Sequence, residues 1–130
     1  MKLSTRARYG LKVCFLLGVG GSQSLPQLSK RTGHSGKYLE QLLSMLKKGG
    51  VIQAERGANG GYSLSRDPSQ INIAEILDAL GDGFDMDACN DACQDAYCPN
   101  KRIFSTLSDT INRTLSAITL KDMIDDYRCV

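Results

Sequence analysis

Three cysteines fall within ten residues of one another, in the pattern Cys89-x-x-x-Cys93-x-x-x-x-Cys98. Thiolates are soft donors suited to iron–sulfur centres and to zinc, and three of them on one short loop can bend round a single centre. The surrounding stretch, residues 81–100, also carries five aspartates and no hydrophobic period. A bound centre would supply the order that so polar a loop lacks, because metal binding contributes folding free energy. Zinc, metal-free thiol chemistry and a disulfide are the competing readings, with an iron–sulfur cluster preferred. The aspartates lack the ligand order and the glycine of an EF-hand loop, so they read as a solvated acidic segment.

The chain has five cysteines, an odd number. No long apolar run with a cleavage site follows Met1-Lys2-Leu3-Ser4-Thr5-Arg6, so a cytoplasmic location and a reducing environment are expected. Clustered cysteines in that setting bind metal or do redox chemistry. No segment approaches the ~18–20 apolar residues of a membrane span. Cys14, inside an apolar run, reads as a small buried hydrophobe.

Charge is divided unevenly along the 130 residues. Residues 1–66 hold eleven Lys and Arg against two acids, Glu40 and Glu55, whereas residues 67–130 hold five against twelve. A basic first half joined to an acidic second half suggests a polyanion-binding module linked to something else.

The elements that must position these groups are legible as periods and stops. A first helix is expected from about Ser4 to Gly18, with Ser4 or Thr5 as its cap, and a second from about Pro26 to Thr32. A third, capped by Ser35, should run to about Lys48, with Leu39, Leu42, Leu43 and Leu46 on one face. Gly49-Gly50 stop it. Val51–Ala54 and Tyr62–Leu64 read as the strands of a hairpin, joined through the glycine-rich Glu55–Gly61 with Asn59-Gly60 as its turn signal. Ile73 to Leu80 read as a short helix. A long one is expected from near Pro99 to about Ile118, with Ile103, Leu107, Ile111, Leu115 and Ile118 as a narrow stripe suited to a helix–helix seam. Thr119 and Asp122 resemble a capping box for a last helix.

Three short helices followed by a hairpin make a winged helix-turn-helix, so the fold expected is mainly α with a small β-hairpin wing and a long dimerisation helix. Residues 1–67 would form the DNA-binding module, 68–100 a linking helix and the cysteine loop, and 99–130 the dimerisation helix with a C-terminal helix. The front of the third helix offers Ser35, Lys37, Tyr38, Glu40 and Gln41 to the major groove; Gln41 can pair with adenine and Glu40 can accept from cytosine. At the wing, Gly57, Asn59 and Gly60 let backbone approach the duplex, and Arg56 can enter a narrow minor groove. Lys2, Arg6, Arg8, Lys12, Lys30 and Arg31 are candidate phosphate contacts, with hydroxyl bonds from Ser4 and Thr5. No nucleophile–base pair and no phosphate loop is visible, and the lone His34 beside a helix start reads as a cap or backbone contact. The chain is therefore not read as an enzyme, and an electron carrier is less favoured than a regulator.

The segments Met1–Leu11, Tyr38-Leu39-Glu40-Gln41-Leu42-Leu43, Arg56-Gly57-Ala58-Asn59-Gly60-Gly61-Tyr62-Ser63-Leu64 and Ile118–Ile124 together resemble the IscR family of winged-helix regulators. That family also includes nitric-oxide and cysteine-metabolism sensors, and the resemblance covers nearly the whole chain. It implies a homodimer on the long helix, reading a pseudo-palindromic site in double-stranded DNA, and a recognition helix centred on Lys37, Tyr38, Glu40 and Gln41. It implies a cluster, 2Fe–2S favoured over 4Fe–4S, on Cys89, Cys93 and Cys98, with repression of iron–sulfur biogenesis genes and iron–sulfur assembly proteins as possible partners. The gaps between the cysteines are shorter here than in IscR. Where the IscR pattern places a histidine as fourth ligand this chain has Lys101, and where some relatives draw an acidic ligand from the first helix of the partner subunit it has Arg8. The fourth ligand is open among Asp87, Asp91, Asp95, Asn100, Lys101, Cys129 and a small external thiol.

Overall fold

The computed structural model describes residues 3–57, 60–83 and 99–128. The helices are α1 (Thr5–Gly20), α2 (Leu25–Thr32), α3 (Gly36–Lys48), α4 (Ile73–Ala79), α5 (Pro99–Ala117) and α6 (Leu120–Arg128). Strands β1 (Ile52–Glu55) and β2 (Gly61–Leu64) form one antiparallel pair, with Ile52 opposite Leu64 and Glu55 opposite Gly61. The expected class, mainly helical with a two-stranded hairpin, is what the chain adopts. Among the described residues no helix is long and apolar enough to cross a membrane.

Local chemistry sets most helix starts. The Ser4 hydroxyl accepts the Ala7 N–H, the Ser35 hydroxyl accepts the Tyr38 N–H, and the Thr119 hydroxyl accepts the Asp122 N–H. The Asp122 carboxylate answers by accepting the Thr119 N–H at 3.0 Å, which completes the anticipated box. Two further boxes, Ser24 with Gln27 and Asn72 with Glu75, were not anticipated. Each satisfies helix N–H groups that would otherwise lack partners.

Several boundaries differ from expectation. α1 runs on to Gly20, because Leu17 still faces the core and its carbonyl accepts the Gly21 N–H. α2 begins at Leu25, one residue before Pro26, since Ser24 supplies the cap. β1 starts at Ile52, because Val51 is turned into the core with its N–H on the Leu46 carbonyl. A helical turn at Pro68–Gln70, capped by Asp67, was also not anticipated.

One buried cluster, from Ala7 to Ile124, joins α1, α2, α3, α4 and α6. Leu39, Leu42, Leu43 and Leu46 of α3 are no more than 1% exposed; burying each such side chain stabilises the fold by roughly 1.5–3 kcal/mol. Cys14 lies in this cluster, fully buried, and burial pushes its thiol pKa up to about 12. The junction between α5 and α6 is tied back to the start of α4 and the residues before it: Ile73 N–H donates to the Ile118 carbonyl at 2.9 Å and Leu120 N–H to the Ile71 carbonyl at 2.8 Å. Further towards its start α5 carries exposed apolar side chains, Ile103 at 65% and Phe104 at 39%.

Candidate nucleic-acid interface

The surface that can meet a duplex is built on α3. Its buried leucines fix the helix rotation, so Lys37, Glu40, Gln41 and Ser44 are exposed on the opposite face. α2 ends at Gly33 in a left-handed turn (φ 76°), and Ser35 starts α3 two residues later. Around this turn the rings of Tyr9 and His34 lie 3.9 Å apart, and Tyr38 packs edge-on against both, at 6.2 and 5.6 Å. His34 therefore does more than its backbone contacts: its ring braces the front of α3 against α1. Tyr38 is half-buried in this cluster, while the remaining side chains named for α3 are open to solvent.

A groove of about 570 Å³ runs beside α3, lined by Arg6, Lys37, Tyr38, Glu40, Gln41 and Ser44 among others. Arg6 comes from α1, so the fold brings one of the expected phosphate contacts next to the exposed face of α3. Arg8 and Lys12 are not in this groove; they line a second, apolar one between α1 and α6, with Leu11, Phe15, Met123 and Tyr127. Arg31 lies against the end of α1, where its guanidinium would come within 3.3 Å of any side chain placed at Gly20. Lys30 is exposed near the end of α2. Lys2, Cys89, Cys93, Cys98 and Cys129 lie outside the described residues.

The hairpin is seated by contacts away from its tip. Gln23 N–H donates to the Tyr62 carbonyl at 2.9 Å and Tyr62 N–H to the Gln23 carbonyl at 2.8 Å. Gly61 permits this approach, since a Cβ there would lie 2.6 Å from the Gln23 carbonyl oxygen. At the tip, Arg56 and Gly57 are exposed and Gly60 N–H closes onto the Gly57 carbonyl at 2.8 Å. Asn59 lies outside the described residues.

Ser4 is more engaged than the sequence implied. Its hydroxyl caps α1 and also donates to the Asp82 carboxylate, which accepts the Ser4 N–H at 3.1 Å as well. The neighbouring Thr5 side chain is exposed. Arg6 lies 3.7 Å from the same carboxylate. These contacts hold the Asp82 carboxyl below the ordinary carboxylate range, chiefly through the Ser4 hydroxyl. Sequence reasoning counted Asp82 only as one acid among several; its position between Gly81 and Gly83, just past a helix end, was the available signal.

A helix pair with an exposed second helix, followed by a braced hairpin with an arginine at its tip, defines a winged helix-turn-helix protein. The chain belongs to the Rrf2 family of transcriptional regulators: residues 3–126 match that family, described as an iron-dependent transcriptional regulator. The HTH-type transcriptional regulator IscR of Photorhabdus laumondii subsp. laumondii is 34% identical over 132 residues, covering 97% of this chain and 80% of that protein. Protein rrf2 of Nitratidesulfovibrio vulgaris is 33% identical, covering 97% and 89%. Among solved structures, T. potens IscR aligns with a TM-score of 0.78 at 32% identity, over 98% of this chain and 88% of that one. CymR, the global cysteine regulator of B. subtilis, aligns with a TM-score of 0.78 at 29% identity, over 96% and 97%. The family is one of DNA-binding regulators and not of enzymes.

Proposed function

We propose that this chain is a cytoplasmic, homodimeric repressor that reports iron–sulfur cluster status and controls genes of iron–sulfur cluster biogenesis. The observation that carries the reading is the Cys89, Cys93, Cys98 triad in a chain about one-third identical to IscR along nearly its whole length. The donor chemistry fits: three thiolates suit a 2Fe–2S centre, and a 4Fe–4S centre is the second choice. Cys14 is fully buried among the core side chains and reads as a packing residue. Among the described residues no group of three or more histidines, cysteines or acids could hold a metal ion. Of the fourth-ligand candidates, Asn100 and Lys101 are exposed at the start of α5, and Asp87, Asp91, Asp95 and Cys129 lie outside the described residues. When bound, the cluster supplies an iron- and redox-responsive centre.

Residues 1–67 read the DNA. Lys37, Glu40 and Gln41 address base edges, while Ser35, Lys2, Thr5 and Arg6 address the backbone beside them. Arg56 enters the minor groove, with Gly57, Asn59 and Gly60 bringing the wing close. The exposed Ile103 and Phe104 on α5 support a second copy packing along that helix, and two recognition helices related by a two-fold axis read a pseudo-palindromic site. A ligand-biased change at the cysteines, between α4 and α5, would then alter the relative placement of the two recognition helices.

The likeness to CymR favours one alternative, a thiol-responsive regulator of cysteine metabolism without a cluster. The deciding experiment is visible absorption with iron and sulfide analysis of anaerobically purified protein, then operator affinity with and without the cluster. Iron and sulfide in the wild type, lost when the three cysteines become serine, support the cluster. Colourless protein with stoichiometric zinc, or equal affinity of both forms at every operator, overturns it.

A further inference from the structure

Asp82 belongs to neither the helix pair nor the hairpin, yet its side chain lies against Ser4 and Arg6, and Arg6 lines the groove. The end of α4 is closed by two backbone bonds: Gly81 N–H donates to the Asp78 carbonyl at 3.1 Å and Asp82 N–H to the Leu77 carbonyl at 2.9 Å. Gly81 takes φ 77°, a left-handed conformation that side chains disfavour, so the closing turn depends on glycine. This closure fixes the Asp82 backbone and delivers its carboxylate to the start of α1. One carboxylate oxygen accepts both the N–H and the hydroxyl of Ser4; the other faces the Arg6 guanidinium at 3.7 Å. The Asp82 side chain is 19% exposed and that of Arg6 45%.

Arg6 and Lys37 line the same groove. Glu40 lines it too, and Asp82 is the acid that lies within ion-pair distance of Arg6; without Asp82 the half-exposed guanidinium is freer to swing into bulk water. Asp82 engages one end of the guanidinium at 3.7 Å, and the fork's five donors leave others for a second acceptor. We propose that Asp82 is a positioning residue for DNA binding, holding Arg6 where it meets a backbone phosphate beside the recognition helix. The inference rests on the reading of the α3 groove as the DNA interface.

The test is a double-mutant cycle on the full chain. Duplex binding is measured by fluorescence anisotropy across a salt series for the wild type, R6A, D82N and the double variant. The D82N change keeps an oxygen acceptor for Ser4, removes the charge and replaces the acceptor facing Arg6 with an N–H donor. In the wild-type background R6A should weaken binding about three- to tenfold and lower the salt slope by about one. In the D82N background the same change should cost less than about twofold and leave the slope unmoved. D82E, which restores the charge, should restore the dependence on Arg6. A role confined to capping α1 would lower thermal stability without altering the Arg6 dependence. An equal Arg6 effect with and without D82N overturns the proposal, as does an R6A variant that binds like the wild type at every salt concentration. If D82N does not fold, D82S carries the same comparison. Failure of the wild type itself to show salt-dependent duplex binding overturns the DNA reading, and it is visible before any substitution is made.

Discussion

Gln23 and Tyr62, far apart in the chain, exchange both of their backbone hydrogen bonds, at 2.9 and 2.8 Å. The pair anchors the hairpin to the turn between α1 and α2, so the wing moves with the body of the domain. Gly61 sits beside this contact, where a Cβ would press on the Gln23 carbonyl. Both partners are backbone, and neither can yield without breaking the pairing. Gly61→Ala should destabilise the fold by about 1–3 kcal/mol, read in urea denaturation, and should weaken operator binding through displacement of the wing. Gln53→Ala, at an exposed position on β1, should change stability by less than about 0.5 kcal/mol.

The face of α3 can be tested side chain by side chain. Lys37→Ala and Gln41→Ala should each weaken specific binding by about 1–3 kcal/mol, with a smaller effect on random duplex. Titration of a labelled operator against a scrambled one measures this. Arg56→Ala should reduce the preference for narrow, A·T-rich minor grooves flanking the site. Unchanged affinity in both α3 variants would remove that helix from the readout.

The Cys14 thiol is pushed up to about 12 by burial. Near neutral pH it should stay unalkylated in the folded protein for as long as the fold holds, and react once urea unfolds it. Alkylation followed by mass spectrometry separates it from the other four cysteines. Rapid native-state labelling of Cys14 would mean that the core around α1 opens readily.

Acid should destabilise the fold through two tied carboxylates. Asp82 is lowered chiefly by the Ser4 hydroxyl. Glu75 is desolvated, which opposes ionisation, but the Arg66 and Asn72 hydrogen bonds outweigh that and leave it lowered. Groups lowered on folding stabilise the native state above their unfolded pKa, and that contribution is lost as pH falls through the folded value. The urea midpoint should therefore hold near neutrality and decline below about pH 4–5, where free carboxyls begin to protonate. D82N and E75Q should each flatten the decline.

The local elements were legible because their causes are local. The leucine period of α3, the Ser35 cap before it and the glycines after it are all contained in the segment they shape. Thr119 and Asp122 announced α6 in the same way. The boxes at Ser24 and Asn72 carry equally local signals, and Val51 falls outside the strand because its N–H is taken by the Leu46 carbonyl. The site was legible in part: Lys37, Glu40, Gln41 and Arg56 are exposed as the helix and hairpin patterns required.

Residue types and their periods were enough to specify a helix pair, a glycine-rich hairpin and a soft-donor triad, since each depends on neighbours within a few turns of chain. Which basic residues share a surface was decided only by packing: Arg6 turned towards α3, and Arg8 and Lys12 towards the α1–α6 groove. The same holds for Asp82 on Ser4 and for Gln23 on Tyr62. Contacts between distant segments arise when helices bury their apolar faces together, and one-dimensional spacing carries no trace of the geometry that results.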